Sequence, residues 1–169
     1  MYVNRLQEAA PKVKEETMTI NFRAIEKPDM EAILNIMTIE QEAFGKGALN
    51  EYVIVPLIRH GKVFVAEDEQ ANAVACAYFM RGMSESKMAY LMSVAVLPNF
   101  RGQDIGTALL SFAFTHLKKY DIDSVVLTVD PANFTALSVY REKLGFTVAE
   151  SSKDQYGEGE DRLIMTKKL

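Results

Sequence analysis

The chain has 169 residues, 49% hydrophobic and 25% charged, which is ordinary globular composition and the length of one domain. Nineteen basic residues against 23 acidic give a net charge of −4, which argues against a nucleic-acid binder. One cysteine, Cys76, excludes a disulfide framework and a multi-cysteine metal site, and two histidines, His60 and His116, leave little for a histidine-based one. No apolar run approaches the ~20 residues of a membrane helix, and Met1–Gln7 shows no signal-peptide core. The expected location is the cytoplasm, with no membrane or nucleic-acid partner.

Residues 1–17 are polar, with Pro11 interrupting the only helical pattern, and read as an N-terminal extension to a domain at 18–169. A lid or a dimer contact is the functional alternative for that stretch. Thr19–Ile25 alternates polar and apolar residues, as a half-buried strand does. Pro28 opens a helix with Asp29 and Glu31 in its first turn and an apolar stripe through Ile33, Leu34, Ile36 and Met37. Gly45 and Gly47 break it. A second helix is predicted from about Ala48 to His60, ended by Gly61, with Pro56 where it can kink the helix.

Three strands follow, at Val63–Glu67, Ala73–Met80 and Met88–Val96, the last stopped by Pro98. After the loop Asn99–Asp104 comes a helix to about Tyr120. It is apolar almost all round and is expected to be largely buried. Ser124–Val129 reads as a buried strand, Asn133–Leu144 as a helix, and Phe146–Glu150 and Arg162–Thr166 as the last strands. The helical crossover makes Met88–Val96 and Ser124–Val129 parallel.

Chemistry concentrates in Val94-Ala-Val-Leu-Pro-Asn-Phe-Arg-Gly-Gln-Asp-Ile-Gly-Thr107. A strand meets a loop that enters a helix, whose first N–H groups form an anion site suited to phosphate. Gly102 and Gly106 admit close backbone approach, and Arg101 adds charge. There is no G-x-x-x-x-G-K-[ST], and three residues separate the two glycines, so neither the Walker nor the dinucleotide pattern is met.

This segment resembles the acyl-CoA motif [QR]-x-x-G-x-[GA] of the GNAT N-acetyltransferase superfamily, here Arg101-Gly-Gln-Asp-Ile-Gly106 behind Val94-Ala-Val-Leu-Pro98. A second element, Asn133-Phe-Thr-Ala-Leu-Ser-Val-Tyr-Arg-Glu-Lys-Leu-Gly-Phe146, resembles the family's N-x-x-A-x-x-x-Y-x-x-x-G-F. The resemblance covers about Met18 to Leu169. It implies an α/β GNAT fold: a mostly antiparallel sheet of six to seven strands with a central parallel pair, flanked by about four helices. It also implies transfer of an acetyl group from acetyl-CoA to a primary amine in a ternary complex, with no metal. Backbone of Val94, Ala95 and Val96 would hold the pantetheine arm. Residues Arg101, Gly102, Gln103, Asp104, Ile105, Gly106 and Thr107 would hold the pyrophosphate, and Asn133 and Ala136 would line the coenzyme site. Tyr140 would be the general acid toward the leaving thiolate.

Asp104 departs from the pattern, which has glycine there. Its carboxylate either repels the pyrophosphate or turns to solvent and caps the helix. The positions where relatives carry a basic glutamate are Tyr90, Ser93 and Thr128 here. Asp130, Glu40 and Glu42 remain. The reading favours a water held by backbone carbonyls and assisted by Glu42 or Asp130. Cys76, His60 and His116 read as structural. Met80, Met83, Met88 and Met92 read as core or as an adaptable acceptor pocket. The loop Asp154–Asp161 resembles that of the peptide N-terminus-acetylating branch, so a peptide or protein amine, a polyamine and a small basic metabolite all remain open as acceptors. The rival functions are a non-catalytic acyl-CoA sensor and a dimerisation module, and a homodimer stays open.

Overall fold

The computed structural model describes residues 18–169, so both readings of the extension at 1–17 lie outside the described residues. Seven strands form one mixed sheet in the order β1-β2-β3-β4-β5-β7-β6. They are β1 Asn21–Ile25, β2 Lys62–Glu67, β3 Ala73–Arg81, β4 Met88–Val96, β5 Ser124–Val129, β6 Thr147–Ser152 and β7 Arg162–Lys168. Four α-helices pack on it: α1 Met30–Phe44, α2 Glu51–His60, α3 Ile105–Leu117 and α4 Phe134–Ser138. Among the described strands only β4 and β5 run parallel; every other neighbouring pair is antiparallel. This is the architecture that the resemblance implied: a mostly antiparallel seven-stranded sheet with one central parallel pair and four helices.

Strand alternation sends side chains into two cores. Val63, Val65, Cys76, Tyr78 and Ala95 meet α1 and α2, whereas Phe64, Ala66, Ala77 and Phe79 meet α3. Phe64 and Phe79 contact edge to face, with ring centres 5.7 Å apart, inside the α3 core. Asp29 lies before the first turn of α1 rather than within it: its side chain accepts the Ala32 N–H at 3.0 Å as the N-cap. α2 continues through Pro56 to Gly61. α3 is not buried all round. Ala108, Ser111 and Thr115 face solvent, because the helix forms an outer layer with only one side against the sheet.

Two local features shape the centre of the molecule. β4 pairs with β5 only at Met88, Ala89 and Tyr90. Beyond Tyr90, β4 stays paired to β3 and β5 to β7, but not to each other. Their parting coincides with a β-bulge: Tyr78 opposes Ser93 and Phe79 opposes Leu91, so Met92 is the extra residue that bends β4. The second feature corrects the helix expected over Asn133–Leu144. α4 ends at Ser138 and the chain widens into a π-turn, Val139–Lys143, closed by the Leu144 N–H on the Val139 carbonyl at 3.1 Å. Such turns recur at functional sites.

Candidate active site

The parting of β4 from β5 leaves two grooves. The first, of about 500 Å3, runs between the outer half of β4, the start of α3 and the α4 π-turn. It is lined by Val94, Val96, Arg101, Gly102, Asp104, Ile105, Gly106, Thr107, Asn133, Ala136 and Tyr140, which the two motifs singled out. Phe100, Leu110, Thr135, Val139 and Lys143 join them. Ala95 turns its side chain into the α1–α2 core and offers only backbone. Gln103 lies outside the lining; its side-chain amide donates to the Asn99 carbonyl at 3.2 Å.

Along this groove the N–H groups of residues 102–107 have no hydrogen-bond acceptor among the described residues. They sit at the positive end of the α3 dipole, a donor set suited to an anion. Arg101 is held at the same end, its Nε donating to the Val96 carbonyl at 3.0 Å. Gly106 keeps α3 close to β4. A Cβ there would approach Val96 Cγ2 to 3.2 Å, closer than neighbours comfortably pack.

Asp104 does not cap the helix as one of its two expected courses had it. It sits at the N-cap position with φ +57°, left-handed backbone that glycine adopts most readily and that aspartate tolerates. Its side chain makes no capping bond. The carboxylate is instead ion-paired with Lys143 from the π-turn, across the mouth of the groove. The second motif contains Lys143 but gives it no role. Its signal was spacing: Asn133, Ala136, Tyr140 and Lys143 recur at three- and four-residue intervals, one helical face.

The second groove, of about 400 Å3, opens on the other side of the splayed strands. Glu40, Phe44, Leu49, Met92, Ser93, Thr128, Asp130 and Arg162 line it, with Val94, Asn133, Ala136 and Tyr140. These last four line both grooves. Tyr140 packs edge-on against Phe146 with ring centres 5.7 Å apart, and burial pushes its phenol up to about 12. Beside this groove the hydroxyls of Tyr90, Thr128 and Tyr156 cluster, Thr128 Oγ1 lying 3.1 Å from Tyr90 and 3.3 Å from Tyr156.

Of the carboxylates weighed from sequence, Asp130 lies on the second groove, its Oδ1 accepting the Ala132 N–H at 2.7 Å. Glu42 is exposed on α1 and lines neither groove. Glu40, two residues earlier, does. Met92 also lines the second groove, whereas Met83 is 98% exposed. Cys76 is buried between the sheet and α1, and burial raises its thiol to about 12, as befits a core residue.

The profile of the Acetyltransferase (GNAT) family matches residues 30–146. A Dictyostelium discoideum protein named N-terminal acetyltransferase complex ARD1 subunit homolog is 38% identical over 103 residues, 60% of this chain and 51% of that protein. An N-alpha-acetyltransferase of Sulfurisphaera tokodaii is 36% identical over 84 residues, 49% of this chain and 50% of that protein. The chain thus spans about half the length of these curated relatives. Among solved structures, Ard1 from Thermoplasma volcanium superposes with a TM-score of 0.75 at 20% identity, covering 89% of this chain and 97% of that one.

Proposed function

Since the chain belongs to the GNAT acetyltransferase family, we propose that it moves an acetyl group from acetyl-CoA to the α-amine of a peptide or protein, by direct transfer in a ternary complex. The observation that carries this reading is the meeting of two grooves at Tyr140. One groove offers unpaired N–H groups and an arginine to an anion, and an open strand edge to an extended arm. The other opens toward solvent past Asp130 and Arg162.

These residues fit coenzyme A: the pyrophosphate on the α3 N-terminus and Arg101, the pantetheine along β4 from Val94 to Val96. Tyr140 then holds a proton where the grooves meet. Its raised pKa keeps it protonated at neutral pH, so it donates to the thiolate rather than removing protons. The amine nitrogen forms the new C–N bond as the carbon–sulfur bond breaks, and sulfur takes the Tyr140 proton. Of the two protons the ammonium sheds, one restores Tyr140 and the other leaves through water beside Asp130.

The choice of an α-amine rests on chemistry and on the relatives' names. An α-amine of pKa ~7.8 is roughly 15% neutral at pH 7, whereas a lysine amine is about 1 part in 2,500. A site with Tyr90, Ser93 and Thr128 on its flanking strands suits the first acceptor better. The test is a panel of free-N-terminus peptides, N-blocked lysine peptides and polyamines with acetyl-CoA, read as free thiol. Acetylation of free N-termini supports the reading. Turnover confined to lysine or polyamines overturns the acceptor, and coenzyme binding without any turnover turns the reading toward an acyl-CoA sensor.

A further inference from the structure

The sheet face opposite α3 is covered only in part. Val125, Leu127 and Val129 of β5 and Met165 of β7 point into the α3 core, so strand alternation sends Val126, Thr128, Ile164 and Thr166 to the other face. Over β1 to β3 that face lies under α1 and α2, but among the described residues the core there takes no side chain from β5, β6 or β7. Register joins the bare side chains into rows. Met80, Tyr90, Val126, Thr166 and Thr147 stand side by side across five strands, and Thr128, Ile164 and Glu150 across three. Tyr90, Val126 and Ile164 belong to neither core and are only half-buried. The face begins at the second groove, since Thr128 and Arg162 line that groove too. Tyr156 marks the junction, its hydroxyl 3.3 Å from Thr128 and 3.5 Å from Tyr90.

We propose that this bare face is the track along which the acceptor chain runs beyond its first few residues, and that it fits an extended segment of apolar and hydroxyl side chains. The inference rests on the proposed function, which brings the acceptor amine to Tyr140. The rest of the acceptor must then leave the second groove. Phe44 and Leu49, from the α1–α2 segment, wall that groove on one side, and the space beyond Tyr140 belongs to the coenzyme. The remaining way out is past Thr128 and Arg162, onto the face. A passing chain meets the hydroxyls of Thr128, Tyr90 and Tyr156 first, then Val126, Ile164 and Thr166. Neighbouring strands lie about 4.8 Å apart, so the ~14 Å from β4 to β6 takes about four to five extended residues. The charged groups of this face, Arg162, Glu150 and Lys168, stand at its margin, so a charged segment would lose hydration without finding a partner at the centre.

The experiment uses free-N-terminus peptides of three, five and eight residues that share their first three, the added residues uncharged, with initial rates measured at saturating acetyl-CoA. Covering about 60 Å2 of apolar surface is worth about 10-fold in affinity. From tripeptide to octapeptide kcat/KM should therefore rise about 10-fold, through KM alone. In Ile164→Lys and in Thr166→Lys, each of which sets a cation in mid-face, that rise should vanish while the tripeptide keeps its kcat/KM within about twofold of wild type. A level length series in wild type overturns the proposal, as does a rise that survives in both variants or a loss that the tripeptide shares. An octapeptide with two glutamates among its added residues should gain nothing over the tripeptide, and an equal gain overturns the fit to uncharged segments. Light scattering tests the rival occupant: a wild-type dimer that Ile164→Lys makes monomeric assigns the face to a second copy and overturns the track. If neither variant folds, the wild-type series, uncharged against acidic, decides alone. Wild type that acetylates no peptide of any length refutes the proposed function itself.

Discussion

The Asp104–Lys143 pair sets a measurable balance at the coenzyme groove. The two side chains are 69% and 49% exposed, so solvent screens them strongly. As a surface pair they contribute about 0–1 kcal/mol to folding. Their effect on a bound pyrophosphate is larger in proportion. At about 6 Å and an effective dielectric of about 40–80, one unit charge acts on another by roughly 0.7–1.4 kcal/mol, a factor of about 3 to 10 in affinity. With Lys143 in place the carboxylate is compensated. Lys143→Ala should therefore weaken coenzyme A binding about 3- to 10-fold, and Asp104→Asn should strengthen it by a similar factor. Asparagine is chosen because it tolerates the left-handed backbone and removes only charge. The double variant should bind nearly as wild type. Isothermal titration at low salt and at 1 M salt, where the Debye length is about 3 Å, should show these differences shrinking. Wild-type affinity in Lys143→Ala would refute the argument. So would a double variant as weak as Lys143→Ala alone, which would mean that the lysine acts on the coenzyme directly.

Tyr140→Phe keeps the ring on Phe146 and removes the proton, so coenzyme affinity should hold while kcat and kcat/KM fall together by ~10²–10⁴-fold, read in single-turnover thiol release. Because the phenol is raised to about 12, kcat in wild type should show no loss from Tyr140 ionisation as pH rises toward that value. Cys76, buried and likewise raised to about 12, should resist iodoacetamide at pH 8 in the native protein and react only on unfolding; rapid native labelling, followed by mass spectrometry, would contradict its burial.

Element order was legible because punctuation in the chain is strong: Asn133 opens a helix, Gly61 stops one and Pro98 follows a strand. What escaped depends on distant partners. The bulge at Met92 arises from the register of β3 on β4, and nothing near Met92 announces it. The π-turn lies in a segment whose residues also suit an α-helix. Asp104 meets a lysine 39 positions away. Glu40 is among the carboxylates the sequence leaves as candidates, and its burial is legible too, since it falls four residues after Ile36 and seven after Ile33, on the apolar stripe of α1. A carboxylate on a buried face was the stronger signal than Glu42, and polarity alone did not separate the two.

The unpaired stretch of β4 also bears on how the chain avoids its own kind. An exposed strand edge normally invites a second sheet to dock and propagate. Here the open backbone lies between two strands of the same sheet, walled by α3 on one side and by α4 with its π-turn on the other. A slender chain can enter such a slot, but the rim of another folded sheet, a full pleat wide and carrying side chains on both faces, cannot. The protein thus keeps a vacant rung at its centre without the propensity to polymerise that the same rung would confer at β1 or β6.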